Sequence, residues 1–123
     1  MRYLTDRKRA VGKGAARTGT QHHWYMQVSA VGLAFLVPSF VFVFGRTLGG
    51  TREAVLSTFA SPFVAILTAL VLVVGMRHFA KGAQTMIEDY ARGSTRKVLI
   101  ILAISISYAV TAVGLFALAK IAL

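Results

Sequence analysis

His78 is followed eleven and twelve residues later by Asp89 and Tyr90. An imidazole, a carboxylate and a phenol between them can ligate a metal, move protons and hydrogen-bond a carbonyl acceptor. His78 lies just past an uncharged, strongly apolar run that ends at Met76, so it is an ionisable residue at or near membrane depth. Such residues are costly in lipid and are functional candidates by default. Eleven residues make about three helical turns, so His78 and Asp89 fall on one face. Val71, Gly75, Gly82 and Thr85 share that face. The two glycines remove side chains on either side of the histidine, leaving room for a flat group such as a porphyrin or for a close-packed neighbouring helix.

A neutral imidazole is a common axial ligand for haem iron, and a lone histidine in a membrane helix equally serves to hydrogen-bond across a helix interface. Residue type alone leaves both readings open. A tyrosine hydroxyl can hydrogen-bond a quinone carbonyl while an adjacent carboxylate assists protonation; the plainer reading of Asp89-Tyr90 is a solvated acid beside an interfacial phenol. His22 and His23 fall at the same membrane face as the Asp89-Tyr90 pair, suited to propionate contact, proton relay or capping a helix. Ser105, Ser107, Tyr108 and Thr111 read as packing and interhelical hydrogen-bonding positions, and no chemistry is assigned to them.

The elements that must position these groups follow from composition. The chain has 123 residues, 56% of them hydrophobic, no cysteine, and four acidic residues against fourteen Lys and Arg. Three uncharged stretches, Thr18–Gly45, Ala54–Met76 and Val98–Ala119, each reach the ~20 residues that a membrane-crossing helix needs. The expected fold is all-α: a single membrane domain over 1–123, with helices at about 22–45, 59–91 and 95–121. Residues 1–19 form a basic segment expected to lie extended along the cytoplasmic surface, and 45–57 an external loop with a Gly49-Gly50 turn signal. Pro38 falls inside the first span, Pro62 suits a first helical turn, and Gly93 is a natural stop. Too little chain remains for a large catalytic site in water. Lack of cysteine excludes disulfides, cysteine-ligated iron–sulfur clusters and thiol chemistry.

The net charge of +10 is placed asymmetrically. Arg2, Arg7, Lys8, Arg9, Lys13, Arg17, Arg77, Lys81, Arg92, Arg96 and Lys97 lie on one side, against Arg46, Arg52 and Lys120 on the other. Positive charge accumulates on the cytoplasmic side, so the expectation is a cytoplasmic N-terminus and a periplasmic C-terminus. Basic residues at helix ends meeting anionic lipid explain the charge without nucleic acid. The first apolar run, about Val28 to Phe44, is longer than a signal-peptide core and lacks a small-residue cleavage site. One conflict remains: a helix continuous from His78 to Tyr90 separates the two by ~18 Å of rise. Either Arg77 and Lys81 are then drawn into the membrane, to snorkel or pair with an anionic cofactor edge, or Tyr90 projects beyond the headgroups.

Gly19-Thr20-Gln21-His22-His23-Trp24 leading into the first span, the single His78 in the second, and Glu88-Asp89-Tyr90 beyond it form a pattern. In these features and in its length and three spans the chain resembles the small hydrophobic membrane anchor subunit of succinate dehydrogenase, the SdhD type. The resemblance implies a subunit of succinate:ubiquinone oxidoreductase, respiratory complex II, that is not catalytic alone. It implies that His78 ligates haem b iron and Tyr90 hydrogen-bonds ubiquinone, with Asp89 close by. It also implies a cytochrome b membrane subunit giving the second haem ligand, an iron–sulfur subunit and a flavoprotein subunit, in the bacterial inner membrane or, alternatively, the mitochondrial one. Some relatives carry an arginine early in the first span that contacts a haem propionate; here that stretch reads Met26-Gln27-Val28-Ser29-Ala30. Arg17, His22, His23 and Arg77 are the candidates to replace it. The alternatives are the anchor of a fumarate reductase and a non-redox scaffold or assembly protein.

Overall fold

The computed structural model describes residues 3–15 and 18–123; Arg2 and Arg17, the latter a candidate propionate contact, lie outside them. The described residues form five helices and no strand: α1 (Asp6–Val11), α2 (Gly19–Thr47), α3 (Arg52–Ala60), α4 (Pro62–Tyr90) and α5 (Gly93–Ala122). Three of them, α2, α4 and α5, are long and apolar enough to cross a membrane. Their 29, 29 and 30 residues correspond to roughly 44 Å each, enough for the hydrocarbon layer and both headgroup regions.

Two segments expected to be irregular are helical. The basic N-terminal segment is not extended throughout, because Thr5 caps α1: its Oγ1 accepts from the Lys8 N–H at 3.1 Å, and Asp6 meets the positive end of the helix. The segment expected to be an external loop likewise holds most of α3. Thr51 accepts from the Ala54 N–H at 3.3 Å and Glu53 lies in the first turn. α3 ends at Ala60, Ser61 separates it from α4, and Pro62 opens α4 at a position where its missing N–H has no cost. The second span therefore starts at Pro62, the proline that the sequence places in a first helical turn. Between α4 and α5 only Ala91 and Arg92 intervene, and Gly93, at φ 61°, takes a left-handed conformation that a side chain would disfavour.

α4 is the central element. It packs against α5 on one side and α2 on the other, while α2 and α5 make no packing contact with each other. The shared core is thin: among the described residues only Val64, Leu67 and Leu118 are buried apolar side chains. At the α4–α5 seam Gly114 lies directly under Leu72, where a Cβ would come within 2.9 Å of Leu72 Cδ1. Large apolar residues such as Phe35, Phe63 and Phe116 face outward, 73%, 73% and 67% exposed, so most of the helix surface is left for lipid or for another membrane subunit. Ser107 and Thr111 do not bond across helices. Each donates to its own helix, to Ala103 O and Ser107 O, both at 2.7 Å, which satisfies the hydroxyl locally.

Candidate functional site

The face of α4 that carries His78 is the face that meets α2. The pairings run antiparallel: Gly75 lies against Leu33, His78 against Ser29, Gly82 against Met26 and Thr85 against His22. Three- and four-residue steps on one helix match three- and four-residue steps on the other, as expected where two helices present one stripe each. The glycines beside His78 thus admit the α2 side chains: a Cβ on Gly75 would stand 3.8 Å from Leu33 Cδ2, and one on Gly82 3.7 Å from Met26 Cε. Of the two occupants considered for that space, the neighbouring helix takes it.

His78 is half-buried, and its Nδ1 lies 2.7 Å from Ser29 Oγ. Ser29 is itself buried and donates to the Tyr25 carbonyl at 2.7 Å, with Met26 O at 3.2 Å. One turn away the Arg77 guanidinium stacks over the Tyr25 ring, 4.8 Å from its centroid. The turn Tyr25–Ser29 therefore grips Arg77 and His78 together, through an aromatic face and a hydroxyl. On the opposite end of the spans, Arg46 and Lys120 fold back over Phe42 and Phe116 of their own helices at 5.5 and 5.9 Å, the behaviour of cations that keep their heads at the interface.

Four of the residues singled out from the sequence come together. His22, His23, Asp89 and Tyr90 line one open groove of about 480 Å³ with Met26, Gly82, Thr85 and Met86. His22 Nε2 is 3.4 Å from Thr85 Oγ1, a contact between the two walls of the groove. Tyr90 is 88% exposed at the end of α4 and Asp89 is exposed beside it, while Glu88 accepts from Gln84 at 2.8 Å. Arg77 stands elsewhere: with Lys81, Gln84 and Tyr108 it lines a second cleft of about 510 Å³, between α4 and α5. His22 and His23 therefore share a groove that Arg77 does not line.

Ser29, Tyr25 and Met26 were not singled out from the sequence as site residues. Their signal was available, since His22, Met26, Ser29 and Leu33 recur at helical spacing that matches Gly75, His78, Gly82 and Thr85 in reverse. A serine inside an apolar run opposite the one span histidine is a natural hydrogen-bond partner.

Comparison with known proteins places this arrangement. The family of succinate dehydrogenase/fumarate reductase transmembrane subunits matches residues 1–114. The chain belongs to that family. It is also similar to the succinate dehydrogenase hydrophobic membrane anchor subunit of Paracoccus denitrificans, 50% identical over 123 residues that cover all of this chain and 95% of the relative. No solved structure matches. The three apolar spans and this relative make the chain a multi-pass protein of the bacterial inner membrane and a membrane anchor subunit, which works in a complex with other subunits.

Among the described residues no three His, Asp or Glu side chains are grouped to hold a bare metal ion. A haem asks for less, because the porphyrin supplies four ligands and the protein only axial ones. His78, the only histidine of α4 and half-buried in it, fits one axial position. α5 has no histidine, and those of α2, His22 and His23, sit exposed in its first turns, so this chain offers no second buried imidazole to such a group.

Proposed function

We propose that this anchor subunit belongs to a succinate:ubiquinone oxidoreductase, holds haem b through His78 together with a histidine of a cytochrome b partner subunit, and completes a ubiquinone-reduction site with Tyr90. The observation that carries the reading is the groove between α2 and α4, which gathers His22, His23, Asp89 and Tyr90 at one end of the spans with His78 about three turns along the same α4 face. Family membership and the Paracoccus relative support it.

The orientation that fits puts the N-terminus and this groove on the cytoplasmic side, where flavoprotein and iron–sulfur subunits would dock and deliver electrons. Counting ~20 residues inward from Pro62 brings the cytoplasmic edge of a ~30 Å hydrocarbon layer near Lys81. His78 then lies just inside that edge, Arg77 rests on the Tyr25 face, and Tyr90 reaches past the edge into the headgroup and docking layer. In the groove the Tyr90 phenol donates a hydrogen bond to one quinone carbonyl. The Asp89 carboxylate, one residue away and solvated, holds protons for delivery to the reduced ring, with His22 and His23 on the facing wall as further carriers. When bound, haem b supplies a one-electron store beside this site. Quinone reduction takes two electrons, from the partner's clusters, and two protons, from this groove.

A reduced-minus-oxidised optical spectrum of the purified complex tests the reading. Reduction by succinate should produce a b-type haem difference band, and added ubiquinone should reoxidise it. A non-redox scaffold would give no such band. The anchor of a fumarate reductase, a reading open because the family embraces both enzymes, would carry a low-potential haem whose band appears with dithionite and not with succinate.

A further inference from the structure

With His78 read as the haem ligand, as proposed above, the hydrogen bonds around it assign a further role. We propose that Ser29 is the positioning residue of His78: it accepts the Nδ1 proton, fixes the imidazole tautomer, and so leaves the Nε2 lone pair as the one available to iron. The proton inventory carries this. A serine hydroxyl has a single proton, and a backbone carbonyl can only accept. Ser29 Oγ stands 2.7 Å from Tyr25 O. Two oxygens at that distance without a proton between them would repel, so the hydroxyl proton lies on this contact. At its 2.7 Å contact with His78 the same oxygen must therefore accept, and Nδ1 carries the hydrogen. A neutral imidazole protonated at Nδ1 is a ligand at Nε2 only.

Burial makes the assignment matter. Ser29 is 6% exposed and sits between two helices, so water has little access to replace its oxygen. Without that acceptor the Nδ1–H is left unpaired, and the ring is free to rotate or to move its proton to Nε2, the nitrogen that must be bare. Outer partners of this kind also raise ligand basicity, and losing them typically lowers metal affinity 10–100-fold. A less basic imidazole donates less to the oxidised iron, so the haem midpoint potential rises.

The test compares Ser29→Thr with Ser29→Val in the purified complex. The two side chains have the same shape and both are larger than serine, so their packing effects cancel; only the hydroxyl differs. Redox titration of the haem band and low-temperature electron paramagnetic resonance are the readouts, with Ser29→Ala as a third variant. Ser29→Thr should keep the wild-type potential and spectrum, while Ser29→Val and Ser29→Ala should show a higher potential, an altered low-spin signal and lower haem occupancy. Identical potentials and spectra for Thr and Val would overturn the role of Ser29. His78→Leu separates this from the underlying reading: full haem in that variant removes the ligand itself, whereas haem loss there with Thr and Val alike removes only Ser29.

Discussion

The Arg77 guanidinium carbon lies 4.8 Å from the centre of the Tyr25 ring, so a cation drawn toward the membrane by its place beside His78 meets an aromatic face on the neighbouring span. The aromatic face thus covers a charge that sits beside the half-buried His78. No carboxylate is within salt-bridge distance of Arg77 among the described residues; the one ion pair there joins Arg9 and Asp6 in α1. The ring also belongs to the residue whose carbonyl holds the Ser29 proton, so one turn of α2 orders both Arg77 and His78.

Tyr25→Leu should therefore loosen the α2–α4 seam while Tyr25→Phe, which keeps the aromatic face, should not. Cation–π contacts at partly exposed sites contribute about 0.5–1 kcal/mol. The expected result is a lower thermal midpoint of the detergent-solubilised complex for Leu and an unchanged one for Phe. Equal behaviour of the two variants would remove the aromatic face from the account.

On the other side of α4, Gly114→Val should overpack the α4–α5 seam, since even a Cβ there meets the Leu72 methyls at 2.9 and 3.2 Å and the leucine must turn out of its place. Overpacking of this kind costs about 1–3 kcal/mol. Leu72→Ala placed in the Gly114→Val background should restore part of the loss, because the two residues share one space. The yield and thermal stability of the assembled complex for the two singles and the double report the coupling.

Much of this arrangement is legible in the sequence. Three long uncharged stretches fix three membrane helices, and the 3.6-residue period alone places His78, Gly82, Thr85 and Asp89 on one face. The short α1 and α3 are less visible, because each depends on a single threonine cap and local side-chain hydrogen bonding more than on an apolar stripe. Which helix the histidine faces is not legible at all. Gly75 and Gly82 make space, and the sequence of α4 does not say that Leu33 and Met26 fill it. Ser29 becomes legible only when the α2 and α4 stripes are matched in reverse, because its partner is 49 positions away.

Tyr90→Phe should impair quinone reduction while leaving succinate oxidation by an artificial soluble acceptor intact. One lost hydrogen bond costs on the order of 0.5–1.5 kcal/mol, roughly a threefold to tenfold loss in quinone binding or turnover. Asp89→Asn should hurt less, since Asp89 is exposed and water can carry the proton in its place. Steady-state rates with ubiquinone and with the artificial acceptor, measured on the same preparations, make the comparison. Wild-type quinone kinetics in fully assembled Tyr90→Phe would remove the phenol from the site.

Ligation of haem by His78 is tested by the reduced-minus-oxidised spectrum of the purified His78→Leu complex. Leucine keeps the site apolar while deleting the one imidazole of α4. The account predicts a lost or strongly reduced b-type band, with residual haem showing an altered spectrum because one axial ligand is gone. An unchanged haem content and an unchanged spectrum would contradict it.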